Sequence, residues 1–265
     1  MGNCLSDQVD GLIVDQLANW PLAQSNYGAL SRVLVKTVVV DGIDVRVQFN
    51  PERIISSSAK VDAQSISERP CFLCPKNLPE QQKTLSWKSD YQILVNPFPI
   101  FTKHLTIPSI AHTPQAISGR IVDMLQLAAD LSQFTVFYNG AQCGASAPDH
   151  FHFQAGLKGV MPIGQHFESG RHTELVSRKA GCDVIAWPHY TVGVASFVGD
   201  NCQSVADAFE LFYGHLQTIS SSSDEPMLNI LTQFNNGQYV LHLFPRIKHR
   251  PSHYFLAENN VMMSP

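Results

Sequence analysis

Residues Cys143 to Gly156 read "CGASAPDHFHFQAG". His150, His152 and Gln154 alternate with Phe151 and Phe153. Period-two alternation is the mark of a β-strand, whose successive side chains point to opposite faces. The Phe face can enter a core. The His–His–Gln face carries three polar groups that need partners or a ligand. Taken alone, the stretch also fits a half-exposed strand whose histidines happen to alternate, so its surroundings must decide.

The chain has 265 residues, enough for one large domain or two small ones with cores. Its net charge of -4, with no basic run, argues against nucleic acid or an anionic membrane as a main partner. No apolar run approaches the ~18 residues of a membrane span. Six cysteines, sparse and unevenly spaced with no signal peptide before them, do not form a disulfide framework and point to a reducing cytoplasm. The opening "MGNCLS" matches a lipidation pattern through Gly2, Cys4 and Ser6, which a two-residue expression scar or chance explains more cheaply.

Outward from the motif, "VDGLIVDQLANW" reads as a short N-terminal helix. "VLVKTVVVDGIDVRVQF" reads as a hairpin turning at Asp41-Gly42, and "SSSAKVDAQSIS" as a polar, Ser-rich loop. Two passages of similar layout follow. The first runs through "YQILVNPF", "KHLTIPS", a helix, "FTVFYNG" and "HFHFQ". Thr113 as N-cap and Pro114 at the first position predict that helix as far as Leu131. The second runs through "CDVIAW", "HYTVGVASF", a helix over 203–219, "MLNILTQF" and "QYVLHLFPR", with Asn236-Gly237 turning the last hairpin. Strand–strand–helix–strand–strand, twice, predicts an internal duplication in an α+β fold. The expected units are residues 1–68, a first half at 69–170 and a second half with its tail at 171–265. The closing "NNVMMSP" shows no evident terminus, leaving room for a further C-terminal segment.

"RPCFLCPKN" holds a Cys-x-x-Cys pair, Cys71 and Cys74. Such a pair is half of a tetrahedral zinc site, which needs two more N or S ligands. A redox pair is the rival reading, and buried thiols are a third. Pro75 directly after Cys74, followed by a loop, fits a metal knuckle better than a redox helix. His104, His112 and His150 are candidates to complete it.

Taken in order, "CFLCPKN", "YQILVNPFPIF", "HLTIPSIAH", "YNGAQCGASAP" and "HFHFQ" resemble the galactose-1-phosphate uridylyltransferase-like branch of the histidine-triad superfamily. There Gln replaces the third His, and the branch includes dinucleotide phosphorylases and resembles GDP-L-galactose phosphorylase. The motif matches extend from Cys71 to Gln154, and the duplicated layout carries the resemblance more weakly to about residue 246. It implies two fused triad-like halves with antiparallel sheets flanked by helices.

Residue by residue, the resemblance implies a catalytic strand of His150, His152 and Gln154. His152 would be the nucleophile that takes up a nucleotidyl group from a nucleoside-diphosphate sugar and passes it to phosphate or a sugar phosphate. An imidazole with an ordinary pKa near ~6.5 is largely neutral and nucleophilic at pH 7. Gln154 would donate to a phosphate oxygen. Unlike a third His it cannot shuttle a proton, which favours transfer over hydrolysis. His150 would join Cys71, Cys74 and His112 around a structural zinc. Asn96 and Phe98 match positions that hold ribose and base in relatives, or are a Pro-kinked strand end. Asn139, Gly144 and Ser146 would line the phosphates, since a Gly-rich loop lets backbone N–H groups reach anionic oxygens. Arg246, Lys248 and Arg250 either bind acceptor phosphate or form a solvated basic tail. In the second half, "LHLFPRIKHRP" places His242 at the third position of the motif and Val240 at the nucleophile's, so one active site per chain is expected. Asp149 departs from the branch pattern by standing between Pro148 and the first His. The chain is expected to be a monomer or homodimer. A hydrolase of nucleotide conjugates and a silent zinc-containing nucleotide binder are the alternatives.

Overall fold

The computed structural model describes residues 4–50, 63–220 and 225–249. Gly2, Arg250, the closing "NNVMMSP" and most of the Ser-rich stretch lie outside the described residues.

The chain begins with two helices, α1 (Leu5–Asn19) and α2 (Pro21–Ala29). Val9, Leu12, Ile13 and Gln16 recur at helical spacing, so α1 buries one stripe. Pro21 opens α2, where its missing N–H costs nothing. The hairpin forms as the sequence predicts, with β1 (Leu34–Val40) and β2 (Ile43–Phe49) paired antiparallel in a sheet of their own. Asp41 and Gly42 both take positive φ, 52° and 79°, as the favoured two-residue turn requires. Part of the predicted Ser-rich loop is instead a short helix, α3 (Ala63–Glu68).

The rest of the chain builds one ten-stranded sheet. Its first half contains β3 (Thr84–Trp87), β4 (Tyr91–Val95), β5 (His104–Pro108), then α4 (Ile121–Asp130), β6 (Phe134–Asn139) and β7 (His152–Leu157). After α5 (Ile163–Ser169), the second half contains β8 (Glu174–Lys179), β9 (Cys182–Ala186), β10 (Ala195–Gly199), α6 (Cys202–Ser220), β11 (Leu228–Asn235) and β12 (Gln238–Pro245). The spatial order is β3-β4-β5-β7-β6-β11-β12-β10-β9-β8. Read from either edge the order is the same, and the two halves meet where β6 pairs antiparallel with β11. The duplicated strand layout read from the sequence is therefore a duplicated topology.

The helix predicted to start at Thr113 begins at Ile121, with Arg120 as its N-cap residue. Thr113 and Pro114 belong to a non-helical strap, because its polar groups are committed elsewhere. The Thr113 carbonyl accepts from Phe151 N–H, and Gln115 N–H donates to the Pro148 carbonyl.

One face of the sheet is the core. Phe151 and Phe153 are fully buried there with Tyr91, Tyr138, Leu125, Ile230 and Leu241. The opposite face carries the polar residues. Directly opposed residues of antiparallel strands share a face, so the register sets Thr106, Gln154, Phe137, Leu231, His242 and Ser196 in one transverse row.

Candidate active site and metal centre

The Cys-x-x-Cys knuckle meets the start of β7. Cys71 Sγ lies 3.3 Å from His150 Nδ1, Cys74 Sγ 3.6 Å from the same nitrogen, and Cys74 Sγ 3.2 Å from His112 Nδ1. All four donor atoms lie within 4.8 Å of one another. A tetrahedron with metal–ligand bonds of about 2.0–2.3 Å has edges of roughly 3.3–3.8 Å, so the spacing suits a four-coordinate metal. His104, the other candidate ligand, is not in the cluster. His150 Nε2 lies 2.7 Å from the Ser109 carbonyl, to which it donates, so Nδ1 keeps its lone pair toward the cysteines. Burial pushes the Cys71 thiol up and the His150 imidazolium down from their ordinary values. A bound cation would hold both as ligands.

Asp149 fits without disturbing this geometry. His150 N–H closes a turn onto the Ala147 carbonyl. The Asp149 carboxylate turns away to Arg69 at 3.2 Å and faces His112 Nε2 at 3.7 Å.

His152 opens β7 and is 4% exposed. Its Nδ1 lies 2.9 Å from the His150 carbonyl oxygen, an acceptor only, so Nδ1 carries the hydrogen and Nε2 the lone pair. Burial lowers its pKa to about 4, which keeps the ring neutral. Gln154 follows on the same face. The N–H of Ile100 donates to His104 Nδ1, so His104 Nε2–H donates to Gln154 Oε1 at 3.0 Å. That bond fixes the amide's orientation and leaves its N–H₂ as the donor end.

The remaining expected residues are placed unevenly. Asn96 uses both ends of its amide within the loop, donating to Thr106 Oγ1 at 3.0 Å and accepting from Phe98 N–H at 2.9 Å. The Phe98 ring is 39% exposed and open for stacking. Gly144 has φ +102°, which favours glycine. Ser146 is exposed, and its carbonyl accepts from Arg69. Asn139 Oδ1 accepts from Asn229 Nδ2 at 2.8 Å, and the same Nδ2 reaches the Cys143 carbonyl. Arg246 donates to Asn229 Oδ1 at 2.6 Å, so the second half reaches the loop of the first. Lys248 is exposed beyond it.

Three residues are absent from the sequence reading. Asn229 is a polar residue between the apolar Leu228 and Ile230 at the start of β11, a signal that could have marked it. Glu225 is half-buried, accepts from Ile117 N–H at 2.6 Å and from Tyr138 OH at 2.7 Å, and its partial burial raises its pKa. Gln115 is 2% exposed and bonds the His152 backbone. Its context looked like a helix start, which hid it.

The second half carries a related but altered row. Trp187 Nε1–H donates to Ser196 Oγ at 2.7 Å as Asn96 does to Thr106, and Ser196 Oγ lies 2.8 Å from His242 Nδ1. His242 stands where Gln154 stands in the first half, and buried Val240 precedes it by two.

This duplicated antiparallel sheet flanked by helices, with its HxHxQ strand, is the architecture that the sequence resemblance implied, and it is shared with yeast Ap4A phosphorylase Apa2. The chain belongs to the family described as "Domain of unknown function (DUF4922)", whose model matches residues 12–157. Among solved structures it is similar to yeast Ap4A phosphorylase Apa2. The complex with Ap4A superposes with TM-score 0.61 at 15% identity, covering 91% of this chain and 81% of that one. The complex with AMP gives TM-score 0.57 at 16% identity, covering 91% and 80%. A uridylyltransferase is similar more loosely, at TM-score 0.47 and 14% identity over 74% and 85%. No curated protein matches the chain. Among the described residues, no helix is long and apolar enough to cross a membrane.

Proposed function

We propose that the protein is a nucleotidyltransferase or phosphorylase that works through a nucleotidyl–His152 intermediate. The observation that carries this reading is the orientation of His152. Nδ1–H is held by the His150 carbonyl at 2.9 Å, and the neutral ring keeps the Nε2 lone pair on the strand face that it shares with Gln154. Nε2 attacks the α-phosphorus of the donor. The N–P bond forms as the bond from phosphorus to the bridging oxygen breaks, and the leaving group departs with that oxygen. A phosphate oxygen of the acceptor then attacks the same phosphorus and returns the electron pair to Nε2. Splitting one transfer into two displacements lowers each barrier and predicts ping-pong kinetics. The Gln154 N–H₂ donates to a non-bridging oxygen, where charge must be held in the transition state.

The donor is a phosphoanhydride-linked nucleotide conjugate. A nucleoside-diphosphate sugar fits the sequence motifs, and the Ap4A bound by the yeast phosphorylase is of the same bond type. The acceptor is phosphate or a sugar phosphate, met by Arg246, which Asn229 ties to the Asn139–Cys143 loop. Asn139, Gly144 and Ser146 line the phosphates, and Phe98 stacks on the base. Cys71, Cys74, His112 and His150 would hold one structural zinc; with four protein ligands it would tie the knuckle to the start of β7 rather than meet substrate.

The test is incubation with a panel of donors labelled on the α-phosphate, followed by peptide mapping. The expected product is an acid-labile, base-stable label on His152. A label on another residue, or none with any donor that is turned over, sinks the covalent reading.

A further inference from the structure

The Gln115 side chain makes three hydrogen bonds, all to main-chain atoms of the nucleophile and of Asn139. Its Oε1 accepts from His152 N–H at 2.8 Å, and its Nε2 donates to the His152 carbonyl at 3.0 Å and to the Asn139 carbonyl at 2.9 Å. The ladder between β6 and β7 pairs Phe137 with Gln154. Two residues further, the same register would set Asn139 against His152 in the next pair of that kind. That pair is not formed. The primary amide of Gln115 stands in its place, mimicking the peptide group that Asn139 would have presented. β5 pairs with His152 on its other side through Pro108, so the Gln115 amide satisfies both His152 backbone groups on the β6 side.

We infer that Gln115 is a positioning residue: a side-chain wedge that ends the β6–β7 ladder at Phe137–Gln154, helps to hold His152 in register, and opens the gap between nucleophile and phosphate loop that the transferring phosphorus enters. The strap that carries it is fixed at both ends. Thr113 and Gln115 bond the 148–151 segment through their backbones. Ile117 N–H is held by Glu225 of the second half, whose other oxygen takes the Tyr138 hydroxyl. The wedge therefore cannot retreat unless three separate segments give way. The consequence for chemistry is specific. Substrate binding relies on side chains and loop amides elsewhere, whereas in-line attack needs Nε2 placed to within a fraction of an ångström. The inference rests on the reading of His152 as the nucleophile.

Gln115→Met keeps the side chain's length and removes its hydrogen bonds. Gln16→Met is the matched control. Gln16 is also fully buried, bonds the Gln81 carbonyl and Lys83 N–H, and lies outside the site. Single-turnover labelling of His152, KM for the donor and thermal melting are measured for wild type and both variants. The expected result is a loss of about 10²-fold in labelling rate for Gln115→Met with KM little changed. Gln16→Met should lower the melting temperature but leave the rate intact. Gln115→Asn keeps the amide but is one methylene short of its partners. It should fall between Gln115→Met and wild type, and it carries the comparison if the Met variant does not fold. Labelling by these variants at the wild-type rate overturns the inference, as does an equal slowing by Gln16→Met. If wild type itself turns over donor without labelling His152, the nucleophile reading falls first and takes the wedge with it.

Discussion

The Nδ1 of His152 lies 2.9 Å from the carbonyl oxygen of His150, two residues back along the chain. One hydrogen bond thus sets the tautomer of the proposed nucleophile. The carbonyl belongs to a residue whose own ring faces Cys71 and Cys74, so metal centre and nucleophile share one short segment. Replacing His152 by Ala should cost on the order of 10³-fold or more in turnover, because the remaining groups only bind and orient. His152→Gly should regain part of that with added imidazole. Turnover of the true donor by His152→Ala at the wild-type rate would refute the role.

Purified protein should hold one zinc per chain, measured by elemental analysis. Cys74→Ser should lower both zinc content and melting temperature, because metal affinity at a four-ligand structural site is folding free energy. Full stability after complete removal of metal by a chelator would contradict this.

Gln154 should govern the fate of the intermediate. Gln154→His restores a group able to pass protons to and from water, so the hydrolysed fraction of product should rise. His104→Phe removes the donor that orients the Gln154 amide. It should slow transfer by about tenfold, the worth of one hydrogen bond of 1–1.5 kcal/mol. Product analysis with and without phosphate separates the two effects.

Stability should fall on the acid side because of His242. Burial lowers its pKa to about 3 against an ordinary 6.5, so between those values the unfolded chain binds a proton that the folded chain refuses. The contribution is fully present above pH 6.5 and is lost as pH falls toward 3, at up to about 1.4 kcal/mol per pH unit. Urea unfolding of wild type and His242→Gln at pH 7 and pH 5 isolates this term, since the carboxylates are common to both. Wild type should lose up to about 2 kcal/mol more than the variant. Equal losses would show that His242 titrates alike in both states.

Gly140→Ala should destabilise the protein by about 1–3 kcal/mol. A Cβ there would stand 2.9 Å from the Leu228 carbonyl and 3.2 Å from Glu225 Oε2, and the first is backbone that cannot swing away. Thermal melting measures it; an unchanged melting temperature would mean that the loop and β11 move apart freely.

The sequence by itself determined the hairpin turns, the duplicated layout, the polar HxHxQ face and most of the strands, though not the two edge strands Thr84–Trp87 and Glu174–Lys179, which add one strand to each half. These are local properties: period two is written in consecutive residues, and Asp41-Gly42 and Asn236-Gly237 select their own backbone angles. Only the tertiary structure decided which distant groups meet. It brought His112, the ligand that the sequence resemblance implied, to the cysteines, and gave His104 the separate task of orienting Gln154. It kept Thr113–Arg120 out of the helix, because the strap's polar groups gain more from the buried His152 segment than from helix capping. It carried Asn229 and Arg246 across the β6–β11 seam to the first half's loop. Such contacts join residues as far as 108 apart in the chain, as Ile117 and Glu225 are. No local pattern encodes them, since each depends on how the whole sheet closes and on which buried polar groups would otherwise lack partners.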